Sequence, residues 1–136
     1  MSPKKSKLVR TLNDNPQKVR HVPTIAETKL WFRIINREIF DNALGDFEHI
    51  EIRRRHGAWG ECIGYIEKDK RWCHLSLNHY MISKKHFINV VGHEMVHLYQ
   101  WTVGHEMNHG QSFFEWKPKF AKFKMVLNES QGHPRS

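Results

Sequence analysis

The sequence holds only two cysteines, Cys62 and Cys73, and no C-x-x-C pair, which excludes a cysteine zinc ribbon and a dithiol redox motif. Two buried free thiols in a reducing compartment are expected, with pairing across neighbouring strands as the other reading. No run approaches the roughly 18 apolar residues that span a bilayer, and the N-terminus lacks the apolar core of a secretory signal. These absences predict an intracellular, soluble chain with no membrane partner. Acidic residues are scarce, 14 against 22 basic ones, for a net charge of +8. The 136 residues suit one domain and are too few for two. What is plentiful is apolar and aromatic material, 39% and 12% of the chain, which argues for a folded, aromatic-rich core rather than disorder.

The basic surplus is uneven. Residues 1–23 carry Lys4, Lys5, Lys7, Arg10, Lys18 and Arg20 against Asp14 alone, with no helical apolar period, and read as a flexible basic arm. Such an arm serves either as a solubilising tail or as a phosphate binder, so DNA enters as a candidate partner through Lys4, Lys5 and Lys7. The Arg53, Arg54 and Arg55 run adds a second basic cluster of the same sequence-independent kind.

Beyond the arm the patterning is α+β. Pro23 and a Thr24-x-x-Glu27 capping box open an amphipathic helix with Leu30, Trp31, Ile34, Ile35 and Ile39 at three-to-four spacing, and Gly45 sits where it would stop. Ile50 and Ile52 mark a first strand. Two more flank the polar turn Glu67 to Lys70, with Cys73, Leu75 and Leu77 alternating inward, giving a small antiparallel sheet of about three strands. Ser83 caps a long helix on which Phe87, Val91, Met95, Leu98 and Thr102 recur along one side, ended by Gly104. A C-terminal helix carries Phe113, Trp116, Phe120, Phe123 and Leu127, with a kink or restart at Pro118.

The stretch "VGHEMVHLYQWTVGHEMNHG" contains His-Glu-x-x-His twice. Even with eleven histidines in the chain, chance yields this pattern only roughly 0.06 times, so context decides what each copy does. The first copy lies inside a periodic helix, where residues four apart share a face and His93 and His97 can aim at one ion while Glu94 projects beside it. That spacing supplies two zinc ligands and a base. The second copy lies between Gly104 and Gly110 with little apolar period, and is read as a return segment that offers the third ligand of an open site. His109, His105 and Glu106 compete for that place; Glu115 ranks below His109. The metzincin pattern is excluded, because Gln100 and Val103 stand where it needs Gly and His.

"HEMVH" followed by "HGQSF" resembles the SprT/Spartan-like metallopeptidase family, over about residues 24–128, with the arm and the tail 129–136 outside. The resemblance implies a zincin-like fold, one Zn²⁺ per chain held by His93, His97 and His109, and Glu94 as catalytic acid/base. His105 maps onto nothing functional. Many members carry a four-cysteine ribbon or a DNA-binding tail that this chain lacks, so it looks like a minimal protease domain, and DNA-dependent cleavage is not implied directly. The expected activity is hydrolysis of peptide bonds in protein substrates, with an extended substrate added at a sheet edge and loose sequence preference. Trp59, Tyr65, His74 and His79 are candidate wall residues, with packing as their ordinary role. The rivals are a non-enzymatic module in which zinc staples helices to sheet while the arm binds nucleic acid, and a hydrolase of non-peptide amides.

Overall fold

Thr24, in extended backbone, accepts the Glu27 N–H through its Oγ1 at 3.1 Å and starts the first long helix. The structure, a computed structural model, describes residues 6–13 and 19–130. Its elements in chain order are α1 (Lys7–Asn13), α2 (Ile25–Glu38), β1 (His49–Arg53), β2 (Gly60–Glu67), β3 (Lys70–Asn78), α3 (Lys84–Thr102), α4 (Gln111–Phe114) and α5 (Lys117–Lys122). Helix α2 stops before Gly45. The chain turns through Asp41 and Asn42, both at positive φ, while buried Asn36 clamps Leu44 with hydrogen bonds in both directions, so a side-chain bracket replaces the glycine stop.

The sheet is mixed rather than antiparallel. Its order is β1-β3-β2, with β1 parallel to β3 and β2 antiparallel to it. Strands that follow one another usually pair, and consecutive pairing is what makes a small antiparallel sheet the ordinary expectation. Here the chain leaves β1 at the Asn78 end of β3, crosses over it, and enters β2 on the other side. Asn78 is buried and holds that crossover: its Oδ1 accepts the Arg55 N–H at 3.2 Å, and its own N–H donates to the Trp59 carbonyl at 2.8 Å. Strand β2 is thereby left as a sheet edge.

Ser83 caps α3 through the His86 N–H. Every residue from Phe87 to Leu98 is buried, so α3 is a central helix covered on all sides rather than a one-faced amphipathic one. The sheet and α2 pack against it, and the C-terminal segment crosses it at Gly92, where a Cβ would stand 2.7 Å from Met125 Cε and 2.9 Å from Phe120 Cε2. The expected C-terminal helix is two short ones: Pro118 sits in the first turn of α5, and Lys124 at φ 62° then turns Met125 and Leu127 back into the core.

The basic arm also departs from expectation. Lys7–Asn13 is helical, with Leu8, Val9 and Leu12 buried, and Leu8 and Leu12 belong to the same cluster as Trp31, Ile35 and Phe87. Two turns present only one apolar stripe, too short to stand out as a period among lysines. Lys4, Lys5 and Lys18 lie outside the described residues, as do residues 131–136 of the polar tail. Downstream, His21 pairs with Met81 through two backbone hydrogen bonds of 3.0 and 2.7 Å.

Leu8→Ala is therefore expected to lower the stability of the metal-free protein by about 2–5 kcal/mol in urea unfolding, as truncation of a buried leucine does. A change within about 0.5 kcal/mol, the ordinary size for a surface position, would mean that this segment does not pack on the domain.

Candidate metal centre

Helix α3 places His93 and His97 one turn apart, with side chains only 5% and 8% exposed as whole residues, and Glu94 at 5%. Burying two imidazoles and a carboxylate in an otherwise apolar helix is unfavourable unless they are paired or hold an ion. The chain supplies a third imidazole. After α3 it turns at Gly104, φ 91°, and returns so that His109 Nε2 lies 3.2 Å from His97 Nε2 and 3.3 Å from His93 Nε2. Phe113, fully buried on α4, touches all three rings with centroid separations of 4.9, 5.1 and 4.9 Å, and so forms their floor.

These distances suit a tetrahedral cation. Zn–N bonds of about 2.0–2.1 Å separate the ligand nitrogens by roughly 3.3–3.4 Å. Among the described residues the one group placed to hold a metal ion is His93, His97 and His109. His105 and Glu106 are exposed on the return loop, and His105 and Glu115 line a separate cavity with Tyr99 and Gln111. The three-histidine set opens on a cavity of about 310 Å³ whose other wall is the β2 edge, with Trp59, Gly60, Glu61 and Cys62. Glu94 Oε2 stands 3.9 Å from His93 Nε2.

Burial sets the electrostatics. Desolvation, then the neighbouring His97 and His109, push His93 down to about 3, with a weaker opposing contribution from the Asn128 backbone. His97 is also lowered by burial, partly offset by Gln100. Both rings are neutral near pH 7, as ligands must be. Desolvation pushes the Glu94 carboxyl up to about 8, against a backbone hydrogen bond from Cys62 and the charge of Arg55. The Cys62 thiol is raised strongly, first by its hydrogen bond with Cys73 and then by burial, and both cysteines are free.

The remaining expected site residues are scattered. Trp59 lines the cavity, whereas the Tyr65 and His74 rings pack on each other at 4.5 Å, tilted by 50°, and, like His79, do not line it. The arginine run is split: Arg55 is committed to Ser76 Oγ at 2.7 Å and Glu61 Oε1 at 2.6 Å, Arg53 pairs with Glu51 at 3.3 Å, and Arg54 is exposed, as is Lys7. The residue that sequence reasoning passed over is Gln100, fully buried and bonded to His97 Nδ1 at 2.8 Å. Its signal was a strong polar side chain one turn after the second histidine in a helix with no exposed face there.

The pKa pattern gives the metal-free protein a defined pH response. A carboxyl raised from 4.5 to about 8 contributes stability that is fully present below about 4.5 and is lost as pH rises through 8, and a histidine lowered from 6.5 to about 3 contributes stability that is lost as pH falls from 6.5 toward 3. Glu94→Gln should remove the alkaline loss and keep the acid one. In thermal unfolding of chelator-treated protein from about pH 5 to about pH 9, the variant should gain several degrees over wild type toward the alkaline end. Parallel curves would show that Glu94 is not buried as described.

No curated protein sequence matches the chain. The SprT-like family matches residues 28–133, which include most of α2, the sheet, α3 and both short C-terminal helices. With that match over most of its length, and with the histidine set and glutamate already in place on the fold, the chain belongs to the SprT-like family.

Proposed function

We propose that the chain is a zinc-dependent metallopeptidase of zincin type that cleaves peptide bonds in protein substrates. The observation that carries this reading is the convergence of three imidazoles beside a buried carboxyl, at a cavity walled by the end of an edge strand. Bound at His93, His97 and His109, zinc would supply a Lewis acid at that point. Glu94 takes a proton from the attacking water as the water oxygen bonds to the scissile carbonyl carbon, and passes it to the amine nitrogen as the C–N bond breaks. A cation beside Glu94 draws its raised carboxyl back toward the ionised form that this work needs.

Strand β2 supports an extended substrate. As the sheet edge next to the histidines, its Gly60–Cys62 end lines the cavity, where an added strand would pair with the outward backbone groups that Glu94 does not already take from Cys62, and backbone pairing recognises chain direction more than side chains. The far end of that edge is closed: Trp101 Nε1 donates to the Tyr65 carbonyl at 2.9 Å, and its ring and Met107 lie where a Cβ on Gly64 would be. The stretch open to substrate is thus the one facing Glu94.

A purely structural zinc staple takes four protein ligands. Among the described residues the group has three, which favours the enzyme over that rival. A DNA partner is proposed only as phosphate attraction, resting on the net charge and on exposed Lys7 and Arg54; weak binding to single- and double-stranded DNA at low salt would remove it.

Two linked measurements test the main reading. Elemental analysis after dialysis against a weak chelator should find about one zinc in wild type and in His105→Ala, and a loss in His109→Ala. Glu94→Gln should retain the zinc and lose at least about a hundredfold in cleavage of an unfolded protein substrate. Zinc retained in His109→Ala, or unchanged cleavage by Glu94→Gln, would sink the corresponding role.

A further inference from the structure

We infer that Gln100 is a positioning residue that builds the histidine site from both sides: its carbonyl sets which nitrogen of His97 faces the ion, and its amide suspends the loop that delivers His109. The inference rests on the metal-binding reading above.

Two backbone groups decide which end of the Gln100 amide is which. Asn108, the residue before His109, places its backbone N–H 3.3 Å from Gln100 Oε1 and its backbone carbonyl 3.0 Å from Gln100 Nε2. A backbone N–H can only donate and a carbonyl can only accept, so the orientation of this amide is fixed by groups whose chemistry is not in question. Oε1 is therefore an acceptor. It lies 2.8 Å from His97 Nδ1, and two acceptors cannot bond, so His97 must carry its proton on Nδ1. The Nε2 lone pair is then left free, and Nε2 is the atom that meets His109. A ring with its proton on Nε2 would point that proton at the place where the ion must sit.

The other half of the amide works on the loop. Nε2 donates to Asn108 O and to Ser112 Oγ, at 3.0 and 2.9 Å, on either side of His109 in sequence. The Gln100 main-chain carbonyl also accepts the His105 N–H at 2.8 Å, at the start of the same loop, and Asn108 Oδ1 closes a tight turn on the Gly110 N–H at 2.9 Å. His109 is itself on an exposed stretch, where apart from its ring contact with Phe113 and the 3.9 Å approach of Glu129 to its Nδ1 these bonds are what hold it opposite α3. A fully buried glutamine needs partners in any case. What goes beyond that need is that its partners are a ligand ring, the Asn108 backbone just before the ligand that α3 does not carry, and the Ser112 hydroxyl just after it.

Partners of this kind typically change metal affinity about 10- to 100-fold when removed. Gln100→Met keeps the length and removes all side-chain hydrogen bonds. Gln100→Glu keeps an acceptor for His97 Nδ1–H and loses the donor to Asn108 O. Two readouts separate this inference from the enzyme reading. The first is nitrogen-15 NMR of the histidine rings in the metal-free protein near neutral pH. His97 should be the Nδ1–H tautomer in wild type and in Gln100→Glu, and a mixture in Gln100→Met. The second is Zn²⁺ affinity by competition with a chromophoric chelator, expected to fall about 10- to 100-fold in Gln100→Met, with a smaller fall in Gln100→Glu.

An Nε2–H tautomer for His97 in metal-free wild type would overturn the inference, and so would wild-type zinc affinity in folded Gln100→Met. Should Gln100→Met not fold, the tautomer in wild type and the affinity of Gln100→Glu decide: Nδ1–H with affinity closer to wild type than to His109→Ala upholds the inference, and any other pairing overturns it. If wild type binds no zinc, the metallopeptidase reading fails while the tautomer readout still judges the hydrogen-bond geometry.

Discussion

The arrangement depends on one constraint: a helix buried on every side carries two imidazoles and a carboxylate through its middle. Twelve consecutive buried residues in α3 leave no solvent to satisfy His93, Glu94 and His97. The protein answers with proximity. Gln100 and His109 reach His97, the Cys62 backbone reaches Glu94, and Phe113 seals the rings from below. Burial also lowers His93 and His97 and raises the Glu94 carboxyl, so the packing that makes these polar groups unfavourable is what suits them to hold a cation.

That burial requires close approach by the surrounding elements. Gly92 lets Phe120 and Met125 lie against α3 immediately before His93, and Gly64 lets the α3 C-terminus and Met107 lie against β2. Gly60 sits near Val90, Leu77 and the Glu94 side chain, bringing the edge strand up to the acid. The crossover held by Asn78 puts β2 there in the first place, since a simple meander would have left β3 at the edge and β2 in the middle.

Much of this was legible in the sequence, for identifiable reasons. The capping residues Thr24 and Ser83, the alternation of Cys73, Leu75 and Leu77, and the His93-Glu94-x-x-His97 spacing are local signals that survive without knowledge of the fold. Parallel pairing of β1 was not legible, because the same alternation of Ile50 and Ile52 fits either direction. Helix α1 was hidden by its length, and the full burial of α3 by polar residues whose partners come from elsewhere in the chain. The three candidates for a third ligand were equivalent by composition; only the return path of residues 104–110, with Gln100 at its centre, distinguishes His109 from His105 and Glu106. The basic runs misled in part, since Arg55 looks like a solvated charge and is instead a brace between Ser76 and Glu61.

Cys62 lines the same cavity, but among the described residues its sulfur, which as a thiolate would be a softer ligand than any imidazole, is not part of the cluster of possible ligand atoms. Its hydrogen bond to Cys73 and its burial hold the sulfur in the protonated form, which coordinates metals weakly. The donor atoms that converge there are thus three nitrogens with no formal negative charge among them, so a cation held at that point would keep its charge undiluted for an oxygen approaching from the open side.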